Sequence, residues 1–101
     1  MQYKVYNSFF KRMIGLLREK DPHFGYIAFF PNVSIVHTFG MRIPIDVVSL
    51  DKNSQVLNIE TLTPFKFSTF FKGTKSILEL SAGKANALGW ERGDKITLPE
   101  T

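Results

Sequence analysis

The chain has 101 residues, 44% of them hydrophobic and 10 of them phenylalanine, which argues against intrinsic disorder because disordered segments carry few aromatic side chains. It has no cysteine, so disulfide bonds and thiol catalysis are excluded. A chain of this length usually forms one domain, and we expect a single domain over residues 1–101.

The charge balance bears on partners and location. The 13 basic and 9 acidic residues give a net charge of +4, and the basic residues are scattered along the chain. Nucleic-acid-binding proteins usually gather basic residues on one element, so a solvated basic surface is favoured over a nucleic-acid groove. The apolar run MIGLL is too short for a secretory signal, and no run approaches the roughly eighteen residues of a membrane span. We expect a soluble cytoplasmic protein.

The first predicted element is an amphipathic helix over residues 8–20. Ser8 can cap it, and the motif Asp21-Pro22 ends it because the residue before proline avoids helical angles. Its apolar side chains recur at helical spacing, at Phe9, Phe10, Met13, Ile14 and Leu17. We expect this helix to pack on a sheet.

Residues 26–80 read as strands and turns. The predicted strands cover residues 26–30, 34–39, 46–51, 55–62 and 76–80, with a hairpin turn at 52–54. Pro31-Asn32 closes the first strand, and Thr63-Pro64 breaks the chain after the fourth.

The C-terminal part predicts a short helix and one more strand. Residues 81–89 would form one or two helical turns, capped by Ser81 and ended by Gly89. A turn at Gly93-Asp94 would lead into a last strand within residues 90–98. The predicted fold is α+β, a compact, strongly bent, antiparallel-rich sheet or small β-barrel with two short helices.

Three polar residues on predicted strands could form a site. His37, Asp46 and Glu79 each share a strand face with apolar side chains, where an ionised group needs a partner. If they converge, a carboxylate beside His37 could orient it as a general base, or the three could hold a divalent metal with Asp51 as a fourth ligand. Neither arrangement has a specific motif, and no cofactor is identified.

The alternative gives these residues a structural role, and we favour it. Asp46 would cap a turn made by residues 40–44, and His37 would be a hydrogen-bonded strand residue. No serine lies in a Gly-x-Ser-x-Gly elbow, and the glycines match no phosphate-binding loop.

The segment FKFSTFFKG (65–73) interleaves phenylalanine with lysine. This composition is typical of a stacking platform for single-stranded nucleic acid. In a loop, Phe70 and Phe71 could instead form an exposed patch for a partner. Core packing is the third interpretation and the one we favour.

The run VHTFGMRIPIDVVSLD, followed by a hairpin strand, ILELSAG and a late Gly-Asp turn, resembles the prokaryotic domain of unknown function 192. The resemblance covers about residues 10–98. It implies a compact, β-barrel-like α+β domain and no established activity. The motif positions are His37, Thr38, Met41, Arg42, Pro44, Asp46, Asp51, Glu79, Leu80, Ala82 and Gly83.

This chain departs from the family pattern at two places. Family members commonly have proline where Ser81 stands, and many carry a cysteine shortly before the histidine, where this chain has residues 32–34, Asn-Val-Ser. Any thiol chemistry imagined for the family is therefore impossible in this chain.

Three functions remain open. The favoured one is a non-enzymatic module that binds an unidentified small molecule or protein partner in a cleft near His37. Its candidate ligand-binding residues are His37, Thr38, Met41, Arg42, Asp46 and Glu79. The second is a small hydrolase, with or without a metal, using His37 with Asp46 and Glu79. The third is single-stranded nucleic-acid binding through residues 65–73.

Overall fold

The computed structural model describes residues 2–6 and 19–99. Five strands and one helix are present in this part of the chain: β1 (Tyr3–Val5), β2 (Ile27–Pro31), β3 (Ile45–Leu50), β4 (Val56–Leu62), β5 (Ser76–Ser81) and α1 (Lys84–Ala87). The strands form one sheet in the order β1-β2-β5-β3-β4. β1 is parallel to β2, and the other neighbours are antiparallel. The sheet is therefore mixed and open, with β1 and β4 as its edges. Of the two predicted arrangements, a bent sheet or a small β-barrel, the barrel is wrong.

The central strands β3 and β5 are buried on both faces of the sheet. Val47 pairs with Glu79 and Asp46 pairs with Leu80, and cross-strand partners point to the same side. We call the Val47 side the first face and the Asp46 side the second face. Two hydrophobic clusters cover them: Ala28, Ile45, Val47 and Ile77 lie in the first, and Val48, Leu78, Leu80 and Ala85 in the second.

Each face is covered by chain outside the sheet. Met41 and Ile43 belong to the first cluster, with Val33 and Val36 packed against it. On the second face Ala85 of α1 and Ile96 complete the apolar layer. Irregular chain thus completes the core on the first face, and α1 together with irregular chain completes it on the second.

Several predicted elements are confirmed. The strands predicted over residues 26–30, 46–51, 55–62 and 76–80 are present, with each end within one residue of its predicted position. The hairpin turn is closed by the Ser54 N–H, which donates to the Asp51 carbonyl at 3.0 Å.

Two predicted strands are wrong. Residues 34–39 contribute only an isolated bridge, His37 to Phe67, because they pair with the connection after β4 and not with the sheet. Residues 90–98 contribute only a bridge from Lys95 to Gln55. Alternation of apolar and polar residues in 34–39 and the turn at Gly93-Asp94 indicated extended chain, but neither signal identified the segment with which it pairs.

The short helix is confirmed, but its predicted cap is wrong. α1 follows Gly83, which has a φ of 88°, and Ser81 is the last residue of β5. Gly89 has a φ of 73° and ends the turn, as predicted.

The N-terminal part of the chain differs from the prediction. β1 was not predicted, because three residues are too few to show a period. The predicted helix over residues 8–20 lies almost wholly outside the described residues, so one helix is shown and not two. In the described part of the chain, no helix has the length and apolar character needed to cross a membrane.

Candidate functional site

Asp46 is a buried structural carboxylate, 2% exposed, on the second face. Its Oδ1 accepts a hydrogen bond from the Thr61 hydroxyl at 2.7 Å. Its Oδ2 accepts from the backbone N–H groups of Gly83 at 3.0 Å and Ala85 at 3.1 Å. Asp46 therefore caps the start of α1 from a distant strand, and the predicted cap of the turn at residues 40–44 is wrong.

Glu79 is also buried, 3% exposed, but it points to the first face. Burial among apolar side chains raises the pKa of Glu79 from 4.5 to about 8, because desolvation penalises the charged form. Tyr6 lies close enough to Glu79 for its pKa to depend on the charge of that carboxyl group. Burial raises the pKa of Tyr6, and the negative charge of ionised Glu79 also raises it.

His37 lies on neither face of the sheet. Its side chain is exposed, and its Nδ1 accepts a hydrogen bond from the Phe39 N–H at 3.2 Å. The predicted convergence of His37, Asp46 and Glu79 does not occur, because the three side chains lie on the surface, the second face and the first face. Within residues 2–6 and 19–99 no group of three metal-ligating side chains is found.

The remaining predicted site residues are dispersed. Asp51 accepts hydrogen bonds from the Asn53 and Gln55 N–H groups and so shapes the hairpin turn. Met41 is buried in the core of the first face, and Arg42 is exposed.

Thr38 holds two segments together from the inside. Its hydroxyl donates to the Thr63 carbonyl at 2.8 Å and accepts from the Lys66 N–H at 2.8 Å. The Thr38 N–H donates to the Lys66 carbonyl, and its own carbonyl accepts from Phe65 and Met41. Ser68 adds a link at Val36, whose carbonyl and N–H bond the Ser68 N–H and hydroxyl. We call the paired segments 35–39 and 65–69 the ribbon.

The outer side of the ribbon carries exposed aromatic rings. In extended chain alternate residues share a side, so Thr38 and Ser68 point inward and their neighbours outward. The Phe39 and Phe67 ring centroids are 4.9 Å apart, those of His37 and Phe39 are 5.1 Å apart, and those of Phe39 and Phe65 are 6.4 Å apart. We call His37, Phe39, Phe65 and Phe67 the aromatic surface.

Exposure of these rings corrects the core-packing interpretation of residues 65–73. Phe65 is 70% exposed and Phe67 is 63% exposed. Ile35 in the ribbon and Phe70, one residue beyond it, are further exposed apolar side chains. An apolar cluster that remains in water is a recurrent mark of a binding site.

The backbone conformation of Phe65 also supports a binding role for this surface. Its φ is 65°, in the left-handed region that costs a residue with a Cβ about 1 kcal/mol. Neither the conformation nor the exposed ring contributes to core burial, so the Phe65 side chain has no evident role in stability.

A shallow depression of about 170 Å³ lies elsewhere on the molecule. It is lined by Asn32, Val33, Ser34, Thr74 and Lys75. Small-molecule sites usually measure at least about 300 Å³, so this depression is a weak candidate for a ligand site.

Sequence reasoning found His37 but missed the rings around it. The signal was present, since Ile35, His37 and Phe39 share one side of their segment and Phe65 and Phe67 one side of theirs. The pattern does not tell whether that side faces the core or solvent, because an alternating segment has the same periodicity in both cases.

Comparison with known proteins identifies the family. Residues 1–98 match the profile of DUF192, described as an uncharacterized ACR. The chain belongs to the DUF192 family. It is 33% identical over 98 residues to a UPF0127 protein of Thermococcus sibiricus, spanning 92% of this chain and 63% of that protein. It is 33% identical over 100 residues to the UPF0127 protein PH1112 of Pyrococcus horikoshii, spanning 94% of this chain and 85% of that protein.

A solved structure shares the fold. The crystal structure of a protein of unknown function from Novosphingobium aromaticivorans superposes with a TM-score of 0.80 at 22% identity, covering 92% of this chain and 71% of that one. At this identity the likeness supports the fold and carries no activity across. The profile match over residues 1–98 confirms the resemblance to DUF192 seen in the sequence.

Proposed function

We propose that this DUF192 domain is a non-enzymatic partner-binding module whose binding surface is the aromatic surface. The observation that carries the proposal is the exposure of three phenylalanine rings packed beside His37 on a ribbon pinned from within. Because Thr38 and Ser68 fix both segments, the rings need little ordering when a partner docks, which lowers the entropic cost of binding.

The hydrolase alternative has less support. A general base needs a substrate-facing position and a partner that orients it. Asp46 instead accepts three hydrogen bonds that hold α1 and β4, and Glu79 faces the opposite side of the sheet. Neither carboxylate reaches the surface that displays His37.

The test is selection of peptides from a displayed random library against the wild-type protein. A subtractive step uses Phe39→Ser/Phe67→Ser, and Leu88→Ser is the matched control because Leu88 is exposed outside the aromatic surface. Selected peptides should bind wild type and Leu88→Ser alike and bind the double variant at least about tenfold more weakly. Peptides that bind all three proteins equally, or a selection that recovers none, would contradict the proposal.

A further inference from the structure

The outer side of the ribbon is a continuous strip of paired side chains. The bridge between His37 and Phe67 is antiparallel, so residues two positions away on each segment also lie opposite each other. Alternation places all of these side chains on the same side. We call them the outer strip, which consists of three cross-strand pairs: Ile35 with Thr69, His37 with Phe67, and Phe39 with Phe65.

The outer strip exposes enough apolar area for a contact between two protein molecules. Ile35 is 45% exposed and Phe39 is 43% exposed, and the rings of Phe65 and Phe67 are more exposed still. At roughly 200 Å² for a fully exposed phenylalanine, the whole strip presents on the order of 500 Å². Two such strips in contact would bury about 1,000 Å², which is the lower bound of specific interfaces.

The outer strip has no charged residue that would repel an identical strip. None of its six residues is a lysine, arginine, aspartate or glutamate. Lys66 alternates with Phe65 and Phe67, so its side chain leaves the backbone on the opposite side of the ribbon. One carboxylate lies at the end of the strip, where Glu60 accepts hydrogen bonds from the Thr69 N–H at 2.8 Å and hydroxyl at 3.1 Å. An identical strip is therefore an acceptable partner if the two Glu60 carboxylates stay apart.

A two-fold axis that runs across the strip keeps these carboxylates apart. Most homodimers have two-fold symmetry, in which the same patch of both copies forms the contact. With the axis across the strip, the Ile35 end of one copy lies on the Phe39 end of the other. The two Glu60 carboxylates then lie at opposite ends of the contact, and His37 at its centre lies opposite its own counterpart.

The ring geometry also suits contact with an identical surface. Aromatic rings have a negative face and a positive edge, so edges of one group of rings fit the faces of another. The Phe67 ring lies at 65° to Phe39 and at 78° to His37. The strip therefore presents both faces and edges, and each finds its complement in a second copy. Nucleic-acid bases would instead require a series of open ring faces for stacking.

Resting on the proposed function, we propose that the partner of the aromatic surface is a second copy of this chain, bound through the outer strip in a two-fold dimer. The contact removes from water the apolar area that the single chain leaves exposed. Because this area is at the lower bound of specific interfaces, we expect a dissociation constant on the order of 10 µM. Dilute protein is then mostly monomeric, and its aromatic surface is available to selected peptides.

Sedimentation equilibrium of the full chain, from about 1 to about 300 µM, tests the association. Wild type and Leu88→Ser should show the same monomer–dimer equilibrium, and Phe39→Ser/Phe67→Ser should dimerise at least about tenfold more weakly. Urea unfolding checks that the double variant is folded, as expected for two exposed rings. A wild type that stays monomeric over the whole range would overturn the inference, as would a double variant that dimerises as well as wild type.

Single cysteines test the two-fold arrangement, since the chain has no cysteine of its own. His37→Cys at the centre of the strip should be cross-linked to its copy by a short bismaleimide at about 100 µM protein, above the expected dissociation constant. Lys52→Cys is the control, because Lys52 is exposed in the hairpin turn outside the strip. Adding Phe39→Ser/Phe67→Ser should abolish the cross-link of His37→Cys. Equal cross-linking at residues 37 and 52 would overturn the two-fold contact.

The library selection, carried out on dilute protein, separates this inference from the proposed function. A monomeric wild type whose rings still bind selected peptides would overturn the second copy as partner and leave the aromatic surface as the binding surface. Ring-dependent binding of oligothymidylate or of phosphatidylserine vesicles by a monomeric protein would overturn the second copy in favour of that class of partner. A protein that neither dimerises nor selects ring-dependent peptides would contradict both proposals.

Discussion

Strand β3 and the ribbon have the same alternating geometry but opposite surroundings. Every residue of β3 is buried, because one hydrophobic cluster covers each of its sides. The ribbon buries Val36, Thr38 and Ser68 wholly or partly on one side and leaves large rings in water on the other. The polar side chain of Asp46 in β3 holds the fold through its hydrogen bonds, whereas the exposed rings of the ribbon add nothing to core burial.

Stability and binding are therefore expected to depend on different residues. Asp46 and Glu79, the residues that looked chemical in the sequence, lie inside the sheet layers. Phe65 and Phe67, which looked like core, lie outside. Substitutions should therefore separate stability from binding along this division.

The largest expected effect is the pH dependence caused by Glu79. Its pKa is raised from 4.5 to about 8 by burial, so the folded state holds a proton that the unfolded chain releases within this range. The free energy of unfolding is then greatest below about pH 4.5 and falls as pH rises towards 8. It falls because, between these values, the folded state keeps a proton that the unfolded chain has lost. At about 1.4 kcal/mol per pKa unit, the free energy of unfolding should fall by about 5 kcal/mol over the whole range.

Urea unfolding of wild type and Glu79→Gln, at several pH values from 4.5 to 8.5, measures this effect. The variant cannot ionise, so its stability should lose this component of the pH dependence while every other titrating group stays the same. Parallel curves for the two proteins would show that Glu79 is ionised in the folded state across the whole range.

Next in size is Asp46→Ala. The substitution leaves the buried Ala85 N–H, the partly buried Gly83 N–H and the Thr61 hydroxyl without their acceptor, and we expect a loss of about 3 kcal/mol. Asp51→Ala is the control, since Asp51 also accepts from two N–H groups but in an exposed turn, and about 1 kcal/mol is expected there. Similar losses at both positions would mean that burial does not matter for this cap.

The sequence predicted the sheet better than the site. The runs IDVVSL and SILELS are short, apolar and bounded by turn residues, which is enough to predict buried strands. The turn from Asp51 to Ser54 follows from local chemistry alone. By contrast β1 is too short to show a period, and the open edge at β4 depends on the whole sheet.

The predicted convergence of His37, Asp46 and Glu79 was wrong for a physical reason. The period-two rule assigned Asp46 and Glu79 to strand faces correctly, but it cannot say which faces of different strands coincide. The partners of Asp46 are also non-local: Gly83 and Ala85 lie 37 and 39 residues along the chain. Contacts of this kind depend on topology, which a single sequence does not show.

Thr38→Val tests the inner side of the ribbon. The change keeps the shape but removes the hydroxyl that bonds Thr63 and Lys66, at an expected cost of about 2 kcal/mol in urea unfolding. Thr97→Val at an exposed position is the control and should cost less than about 0.5 kcal/mol. Selected peptides should also bind Thr38→Val more weakly, because residues 63–66 lose the anchor that positions Phe65. A stable variant with unchanged binding would show that the backbone pairing holds the ribbon without the hydroxyl.

The smallest expected change in stability is at Phe65. Asparagine tolerates the left-handed backbone better than phenylalanine, so Phe65→Asn should leave the free energy of unfolding unchanged or raise it by about 0.5 kcal/mol. The same substitution removes a ring that is 70% exposed and should weaken peptide binding severalfold. Urea unfolding and peptide titration on one preparation measure both effects. A destabilisation above about 1 kcal/mol would mean that the ring packs for the fold. Lost binding at unchanged stability would show that the Phe65 ring, on the outer side of the ribbon, serves binding and not the fold.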